Sequence, residues 1–394
     1  MPIDPLRIGV VGAGAMGSGI AQVVARAGHD VILADARIDA TTKAEGDIKA
    51  SLDRLVQKGK LASDMRDATL ARITFIEAPL NDVHAYRDCG LIVEAIVEEL
   101  AAKQILFAKL AATVAGDAIL ATNTSSLSVA SLASAAVHPE RVIGIHFFNP
   151  APVLPLIEIV PWLGTKSELV SDIVRLAESW KKTPVVASDT PGFIVNRIAR
   201  PFYGEALRIL EEGVADVATI DWAMRELGGF RMGPFELMDF IGNDVNYAVT
   251  RSVFEGFFFD ARYRPSLTQR RLVEAGFLGR KSGRGYYDYR PGAPIPKPNE
   301  NRGEGQIILD RILAMLINEA IDAVFFRVAS PADIDLAMTK GVNYPKGLLA
   351  WGNERGLDWV NSCMAILQYE FNEDRYRPSP LLRRMADEGR RFFE

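Results

Sequence analysis

The chain has 394 residues, 48% apolar and 24% charged, a globular mixture that excludes a disordered or fibrous protein and predicts two or three domains. Forty-five Lys and Arg against 50 Asp and Glu leave a net charge of -5, which argues against a nucleic-acid binder because phosphate neutralisation needs a basic excess. The two cysteines, Cys89 and Cys363, match no metal-ligand spacing and predict a reducing, cytoplasmic setting without disulfide or metal.

Met1 to Arg7 lacks a basic leader and the apolar run behind it is broken by glycines, so no secretory signal is expected. Ile8-Gly9-Val10-Val11, a glycine cluster, Ile20, Val23 and Val24 at helical spacing, and then Val31-Ile32-Leu33-Ala34 predict a right-handed βαβ unit. Apolar runs at Leu91-Ile92-Val93, Ala118 to Ala121 and Val142 to Ile145 continue the alternation, giving an α/β Rossmann-type, doubly wound parallel sheet over residues 1–187. Between Thr41 and Thr69 the pattern turns helical, with Ile48, Leu52, Leu55 and Val56 on one stripe and a Lys58-Gly59-Lys60 corner. This predicts a projecting antiparallel helix pair over about 41–70. From Asp189 onward helices take over, forming a first all-α domain over 188–290.

Four prolines and three glycines in the sixteen residues Arg290 to Gly305 predict a linker at 291–304, before a second helical domain over 305–394. The most hydrophobic long segment, Ile307 to Val328, carries Asp310, Arg311, Glu319 and Asp322, so it reads as an amphipathic helix and not a membrane span. Glu205-Ala206 recurs as Glu319-Ala320, and Ile220-Asp221-Trp222-Ala223-Met224 as Ile334-Asp335-Leu336-Ala337-Met338, both 114 residues later. Two matches at one offset predict a duplicated helical domain, with an unequal second copy: Asp310 stands opposite Asn196, and Pro191-Gly192-Phe193 has no counterpart.

Gly12-Ala13-Gly14-Ala15-Met16-Gly17 follows a predicted strand and opens a helix, with Asp35 18 residues beyond Gly17. Glycines there allow a tight turn and close approach of a pyrophosphate to a helix N-terminus, while Asp35 would accept from a free ribose diol and repel a 2′-phosphate. NAD is therefore expected over NADP, although Arg37 nearby could accommodate a 2′-phosphate. His146 ends an apolar strand and enters Phe147-Phe148-Asn149-Pro150-Ala151-Pro152, a loop returning through Leu156-Ile157-Glu158-Ile159-Val160. If the loop reverses the chain, Glu158 lies beside His146, fixes its tautomer and strengthens it as a base; otherwise a backbone carbonyl satisfies the histidine. Thr122-Asn123-Thr124-Ser125-Ser126 ends another strand, where Ser125 would meet a substrate hydroxyl or the three hydroxyl residues would cap the helix through Leu127, Val129 and Leu132. Asp189 to Arg197 reads as a cap and first turn at the domain junction. Arg54 and Lys58, one helical turn apart, and Lys60 form a local cationic patch that suits a phosphate-bearing ligand or a solvated helix face.

Together these residues resemble the L-3-hydroxyacyl-CoA dehydrogenase family. The resemblance rests on Gly12 to Ala21, Val93 to Glu98, Asn123 to Leu127, His146 to Glu158, Asp189 to Arg197 and Gly233 to Asp239, in family order. It implies NAD-dependent oxidation of an L-3-hydroxyacyl-CoA to the 3-oxoacyl-CoA, a β-oxidation type of step, with His146 as general base and Glu158 as its partner. Ser125 would hold the substrate hydroxyl and Asn196 would lie near the reacting carbon. Besides the glycine loop and Asp35, the resemblance puts Glu98, Lys103, Ser125, Asn149 and Lys281 on NAD, and Ser51 and Lys58 on coenzyme A. The two-copy tail resembles the long members, among them enzymes of phenylacetate breakdown. That makes 3-hydroxyadipyl-CoA the first expected substrate and 3-hydroxybutyryl-CoA the second. No hydratase-like region precedes the dinucleotide domain, so a fused two-activity enzyme is not expected. The expected partners are an acyl-CoA, no nucleic acid and no membrane, for a monomer or homodimer. The alternative is a dehydrogenase of free hydroxy or sugar acids on the same plan.

Overall fold

A computed structural model describes residues 6–77 and 83–394. Residues 1–5, part of the stretch expected to lack a leader, lie outside the described residues. The chain divides into two compact units, Met1–Thr190 and Pro191–Glu394.

The first unit is built on an eight-stranded sheet: β1 (Arg7–Val11), β2 (Asp30–Asp35), β3 (Ile73–Glu77), β4 (Leu91–Glu94), β5 (Ile119–Thr122), β6 (Val142–Phe147), β7 (Leu156–Val160) and β8 (Thr183–Val186), in the order β3-β2-β1-β4-β5-β6-β7-β8. From β3 to β6 every pairing is parallel, and the strands inside the sheet, from β2 to β6, are apolar runs buried on both faces. The doubly wound sheet is parallel up to β6; the loop after His146 then reverses the chain, so that β7 pairs antiparallel with β6, and β8 runs parallel to β7. A loop of eight residues can reverse the chain into a neighbouring antiparallel strand, whereas a parallel return needs a crossover of a dozen or more.

Strand alternation divides the apolar residues between the two faces. Val10, Leu33, Val93, Ala121 and Ile145 share a core with α1 (Ala15–Arg26), α2 (Ile38–Gln57) and α6 (Ser167–Ser179), through Ile20, Val24, Ile48, Leu52, Ile173 and Leu176. Ile32, Ile92 and Leu120 point the other way, where α4 (Leu100–Thr113) and α5 (Val129–Ala133) pack. After α2 the chain turns at Gly59, whose φ of +65° is in the left-handed region, and returns as α3 (Ser63–Ala71).

The second unit is helical: α7 (Val195–Ile198), α8 (Arg200–Glu211), α9 (Val217–Trp222), α10 (Pro234–Ile241), α11 (Asn243–Gly256), α12 (Leu267–Glu274), α13 (Arg302–Phe325), α14 (Pro331–Gly341), α15 (Leu348–Arg355), α16 (Leu357–Phe371) and α17 (Pro380–Asp387). The irregular stretch before α13 ends at Asn301, whose side chain accepts from the Gly303 and Glu304 amides, so the end of the expected linker is the first turn of a helix.

The expected amphipathic character of α13 is also corrected, since Asn318, Glu319 and Asp322 are all buried. Glu319 accepts from Arg197 Nε at 2.7 Å, Arg262 Nη1 at 3.1 Å and the Tyr263 hydroxyl at 2.6 Å. Its counterpart Glu205 accepts from Arg311 Nε at 2.6 Å and the Tyr376 hydroxyl at 2.8 Å, with Arg375 Nη1 at 3.8 Å. Arg311 stands 114 residues after Arg197, as Glu319 does after Glu205, so each arginine is matched to the glutamate of the other stretch. Asp221 accepts from the Phe235 and Glu236 amides, and Asp335 from the Leu349 and Ala350 amides, again at the same offset. A Cβ on Gly233 or on Gly347 would fall 2.3 Å from the carboxyl carbon of that aspartate. Among the described residues no helix is long and apolar enough to cross a membrane.

Candidate active site

The parallel strands β1, β2, β4, β5 and β6 end along one edge of the sheet, the edge where open α/β sheets bind ligands. At β1 this edge is shaped by glycine. Gly12, at φ +104°, lies so close to β4 that a Cβ there would come within 2.5 Å of the Ala95 carbonyl oxygen. Gly14 is different: a Cβ on it would meet nothing within 4 Å, so its small size keeps clear a space outside the protein's own packing. The first turn of α1, with Ala15 exposed and Met16 half-buried, carries neither an acidic residue nor a side-chain cap, and its amides are open to an anion. Asp35, at the end of β2, accepts from the Ala13 amide at 2.8 Å and the Arg37 amide at 2.9 Å, which ties the acid to the glycine turn. These features fit a dinucleotide.

At β4 and β5 the edge is built from carboxylates. Glu94 is fully buried and accepts from Lys103 Nζ at 2.5 Å, the Ile96 amide at 2.7 Å and Thr122 Oγ1 at 2.7 Å. Lys103 also lies 3.2 Å from Glu98. Glu98 Oε1 gathers Thr124 Oγ1 at 2.6 Å and the amides of Ser125 and Ser126 at 3.0 and 3.2 Å. Burial works to raise the Glu98 carboxyl, but Lys103 and these donors overcome it and hold it below its ordinary value. Glu98 therefore shapes the turn that presents Ser125, itself half-buried. The reading of Thr124 to Ser126 as a helix cap is corrected. α5 begins at Val129, capped by Ser128 and by Asp189, whose carboxylate accepts from the Val129 and Ala130 amides. Asp189 thus caps a helix that precedes it in the chain, and not the turn that follows it.

At β6 the register sets His146 directly opposite Glu158 on β7, and Nδ1 and Oε2 are 2.7 Å apart with side chains 6% and 0% exposed. Asn123 Oδ1 accepts from the Phe147 amide at 2.8 Å, locking the end of β5 to the residue after His146. Phe148 lies against the imidazole at 4.6 Å between ring centroids. Asn149, exposed, joins Pro150 through a cis bond and starts the loop to β7.

The remaining candidates are placed apart from this edge or in the second unit. Ser51 lies on α2 and Lys58 just past its end, seven residues on, and among the described residues no carboxylate pairs with Arg54, Lys58 or Lys60. In the second unit, Asn196 is half-buried on α7, and Lys281 pairs with Asp244 at the start of α11. Sequence reasoning did not assign roles to Glu94, Thr122 and Asn123; their position at strand ends beside a motif was the available signal.

A nucleotide-binding βαβ edge followed by a buried imidazole–carboxylate pair two strands beyond its β4 neighbour defines a dinucleotide-dependent dehydrogenase. The 3-hydroxyacyl-CoA dehydrogenase NAD binding domain model matches residues 7–190, and the C-terminal domain model matches 192–289 and 307–391. The 3-hydroxyadipyl-CoA dehydrogenase of Escherichia coli K12 is 39% identical, with 98% of each chain covered. A crystal structure of 3-hydroxybutyryl-CoA dehydrogenase from Escherichia coli K12 superposes with a TM-score of 0.91 at 38% identity, covering 98% of this chain and 99% of that one. A probable 3-hydroxybutyryl-CoA dehydrogenase of Deinococcus radiodurans, 42% identical, matches along 100% of its own length but only 72% of this chain. The chain belongs to the 3-hydroxyacyl-CoA dehydrogenase family. It is an oxidoreductase with NAD as cofactor.

Proposed function

We propose that this enzyme oxidises an L-3-hydroxyacyl-CoA to the 3-oxoacyl-CoA with His146 as general base. The observation that carries the assignment of the base is the buried His146–Glu158 pair, 2.7 Å apart. With Nδ1 committed to Glu158, Nε2 takes the hydroxyl proton of the substrate, and the carboxylate stabilises the imidazolium that results. NAD supplies the acceptor for the hydride leaving C3. Gly12, Gly14, Ala15, Met16 and Gly17 would hold its pyrophosphate and Asp35 its adenosine ribose, while Glu98 and Lys103 shape the turn next to it. Ser125 positions the substrate hydroxyl, and Asn196 contacts the substrate near the reacting carbon. Asn149 and Lys281 are further cofactor contacts.

Ser51, Arg54, Lys58 and Lys60 receive the nucleotide end of coenzyme A, whose phosphates meet unpaired cations on an otherwise acidic protein. The acyl group is that of 3-hydroxyadipyl-CoA first and 3-hydroxybutyryl-CoA second. The setting is the cytoplasm, in keeping with two free cysteines. Residues 188–290 and 305–394 are two copies of one helical domain, the second covering the face of the first within one chain, which then works as a monomer or homodimer. The test is NADH formation from 3-hydroxyacyl-CoA by wild type and His146→Gln. Loss of a general base costs about a hundred- to ten-thousand-fold, and an unaffected variant refutes the mechanism.

A further inference from the structure

Within the first unit, the loop from β6 to β7 is held by a lysine that directly precedes β8. Lys182 Nζ donates to the Ala151 carbonyl at 2.5 Å and to the Leu154 carbonyl at 2.7 Å. The loop is also pinned from α1, where a Cβ on Gly19 would come within 3.1 Å of both Ala151 and Pro152. Lys182 is half-buried and lines a cavity of about 150 Å³ between the last turns of α1 and α6 and this loop, together with Arg26, Pro152, Trp180 and Lys181. Arg26 and Lys181 are exposed, whereas Trp180 is buried and its Nε1 has no hydrogen-bond partner among the described residues.

An ammonium has three N–H donors, and two of those on Lys182 are committed to carbonyls. The neutral amine keeps both bonds and carries a lone pair in place of the third proton, so deprotonation leaves the loop held and makes the nitrogen a nucleophile. Two effects favour that form. Burial disfavours the charge and the Arg26 guanidinium repels it, which brings Lys182 from the ordinary 10.5 down to about 8. About a tenth of it is then neutral at pH 7, against less than about a thousandth of an exposed lysine. Desolvation beside a second cation is a recognised way of activating a lysine amine.

The surroundings suit an acyl donor. A cavity of this volume holds a group about the size of benzene, enough for a short acyl chain but not for a nucleotide. Coenzyme A would leave its phosphates outside, where Arg26 and Lys181 supply positive charge, and the unmet Trp180 Nε1 is a donor of the kind an acyl carbonyl accepts from. We propose that Lys182 is a modification site, acylated directly by short-chain acyl-CoA thioesters. The Nζ lone pair forms a bond to the thioester carbonyl carbon, the carbon–sulfur bond breaks with its electrons going to sulfur, and the proton displaced from nitrogen ends on the CoA thiol. The amide that results has a single N–H, so one of the Ala151 and Leu154 carbonyls loses its partner and the loop that follows His146 slackens.

The test incubates the full chain with acetyl-CoA at neutral pH and follows the acetylated fraction of each lysine by peptide mass spectrometry. Acetyl-CoA has no 3-hydroxyl, so the outcome is independent of the dehydrogenase reading. Lys182 is expected to react at least about ten-fold faster than the exposed Lys297 and Lys340. Arg26→Gln, which removes both the repelling charge and a phosphate contact, slows Lys182 about five-fold or more and leaves the other two unchanged. S-acetyl-N-acetylcysteamine, the same thioester without phosphates, labels Lys182 about five-fold more slowly than acetyl-CoA, and this comparison on wild type carries the test if Arg26→Gln does not fold. Amide exchange in residues 148–155 quickens once Lys182 is acetylated. Labelling of Lys182 no faster than of Lys297 and Lys340 overturns the site, equal rates with the two thioesters overturn the phosphate contact, and unaltered exchange overturns the effect on the loop.

Discussion

Replacing Glu158 with Gln isolates what the buried carboxylate contributes to His146. The amide keeps the shape and can still accept the Nδ1 proton, so the substitution removes the charge and leaves the hydrogen bond. A hydrogen bond to a charged group contributes about 1.5–3 kcal/mol, and charge-assisted bonds are about twice as strong as neutral ones. The 2.7 Å separation and the near-complete burial of both side chains put this pair at the upper end, with little solvent to screen the imidazolium formed as the proton arrives. A loss of about 2–4 kcal/mol in the transition state corresponds to a fall in kcat/KM of roughly 30- to 900-fold. Initial rates of NADH formation with a 3-hydroxyacyl-CoA measure it, and NADH affinity, followed by fluorescence titration, should stay close to wild type. A fall of less than about threefold, or one explained by weaker NADH binding, would show that the charge of the carboxylate contributes nothing of consequence.

Three further outcomes are expected. Asp35→Ser should bring the kcat/KM values for NAD and NADP closer by ten-fold or more, since the acid at the end of β2 is the group that repels a 2′-phosphate; an unchanged preference would remove Asp35 from the site. Lys58→Ala should raise KM for the CoA thioester about three- to ten-fold at low ionic strength with kcat little altered, and the difference should shrink in salt; equal KM values at low salt would leave the patch a solvated helix face. Glu319→Gln leaves Arg197 and Arg262 with Asp322 alone, at a cost of about 3–5 kcal/mol and about 10 °C in the unfolding temperature. Burial works to raise the Glu319 carboxyl, but Arg197, Arg262 and Tyr263 hold it below its ordinary value of 4.5. Its stabilisation is therefore complete above that value and is lost as pH falls through the folded one, so the variant should show a flatter acid limb in unfolding temperature against pH. A melting temperature within 2 °C of wild type would contradict this account.

The strands inside the sheet were legible because each is buried on both faces and reads as an uninterrupted apolar run. The two that went unseen, β3 and β8, are its edges. Ile73-Thr74-Phe75-Ile76-Glu77 alternates after a charged helix pair, and Pro184 within Thr183 to Val186 argues against a strand, although an edge tolerates the missing donor. The pairing of His146 with Glu158 was foreseeable, since a short returning loop leaves few registers. Asp189 capping α5 from 60 residues away, and Glu94 holding Lys103 and Thr122 together, depend on neighbours that only the folded sheet supplies.

The crossed pairs Arg197–Glu319 and Arg311–Glu205 have the form of an isologous contact, in which each half gives what it receives. In an assembly of separate identical chains such a contact dissociates on dilution, and every substitution falls on both sides at once. Here both halves are on one chain, so their encounter is set by the tether and is independent of protein concentration. The halves are also free to differ. Where the first has Asn196, half-buried on α7, the second has Asp310, paired with Arg355 at 2.8 Å. A single chain can thus let its two halves diverge residue by residue, a freedom closed to two copies of the same gene product.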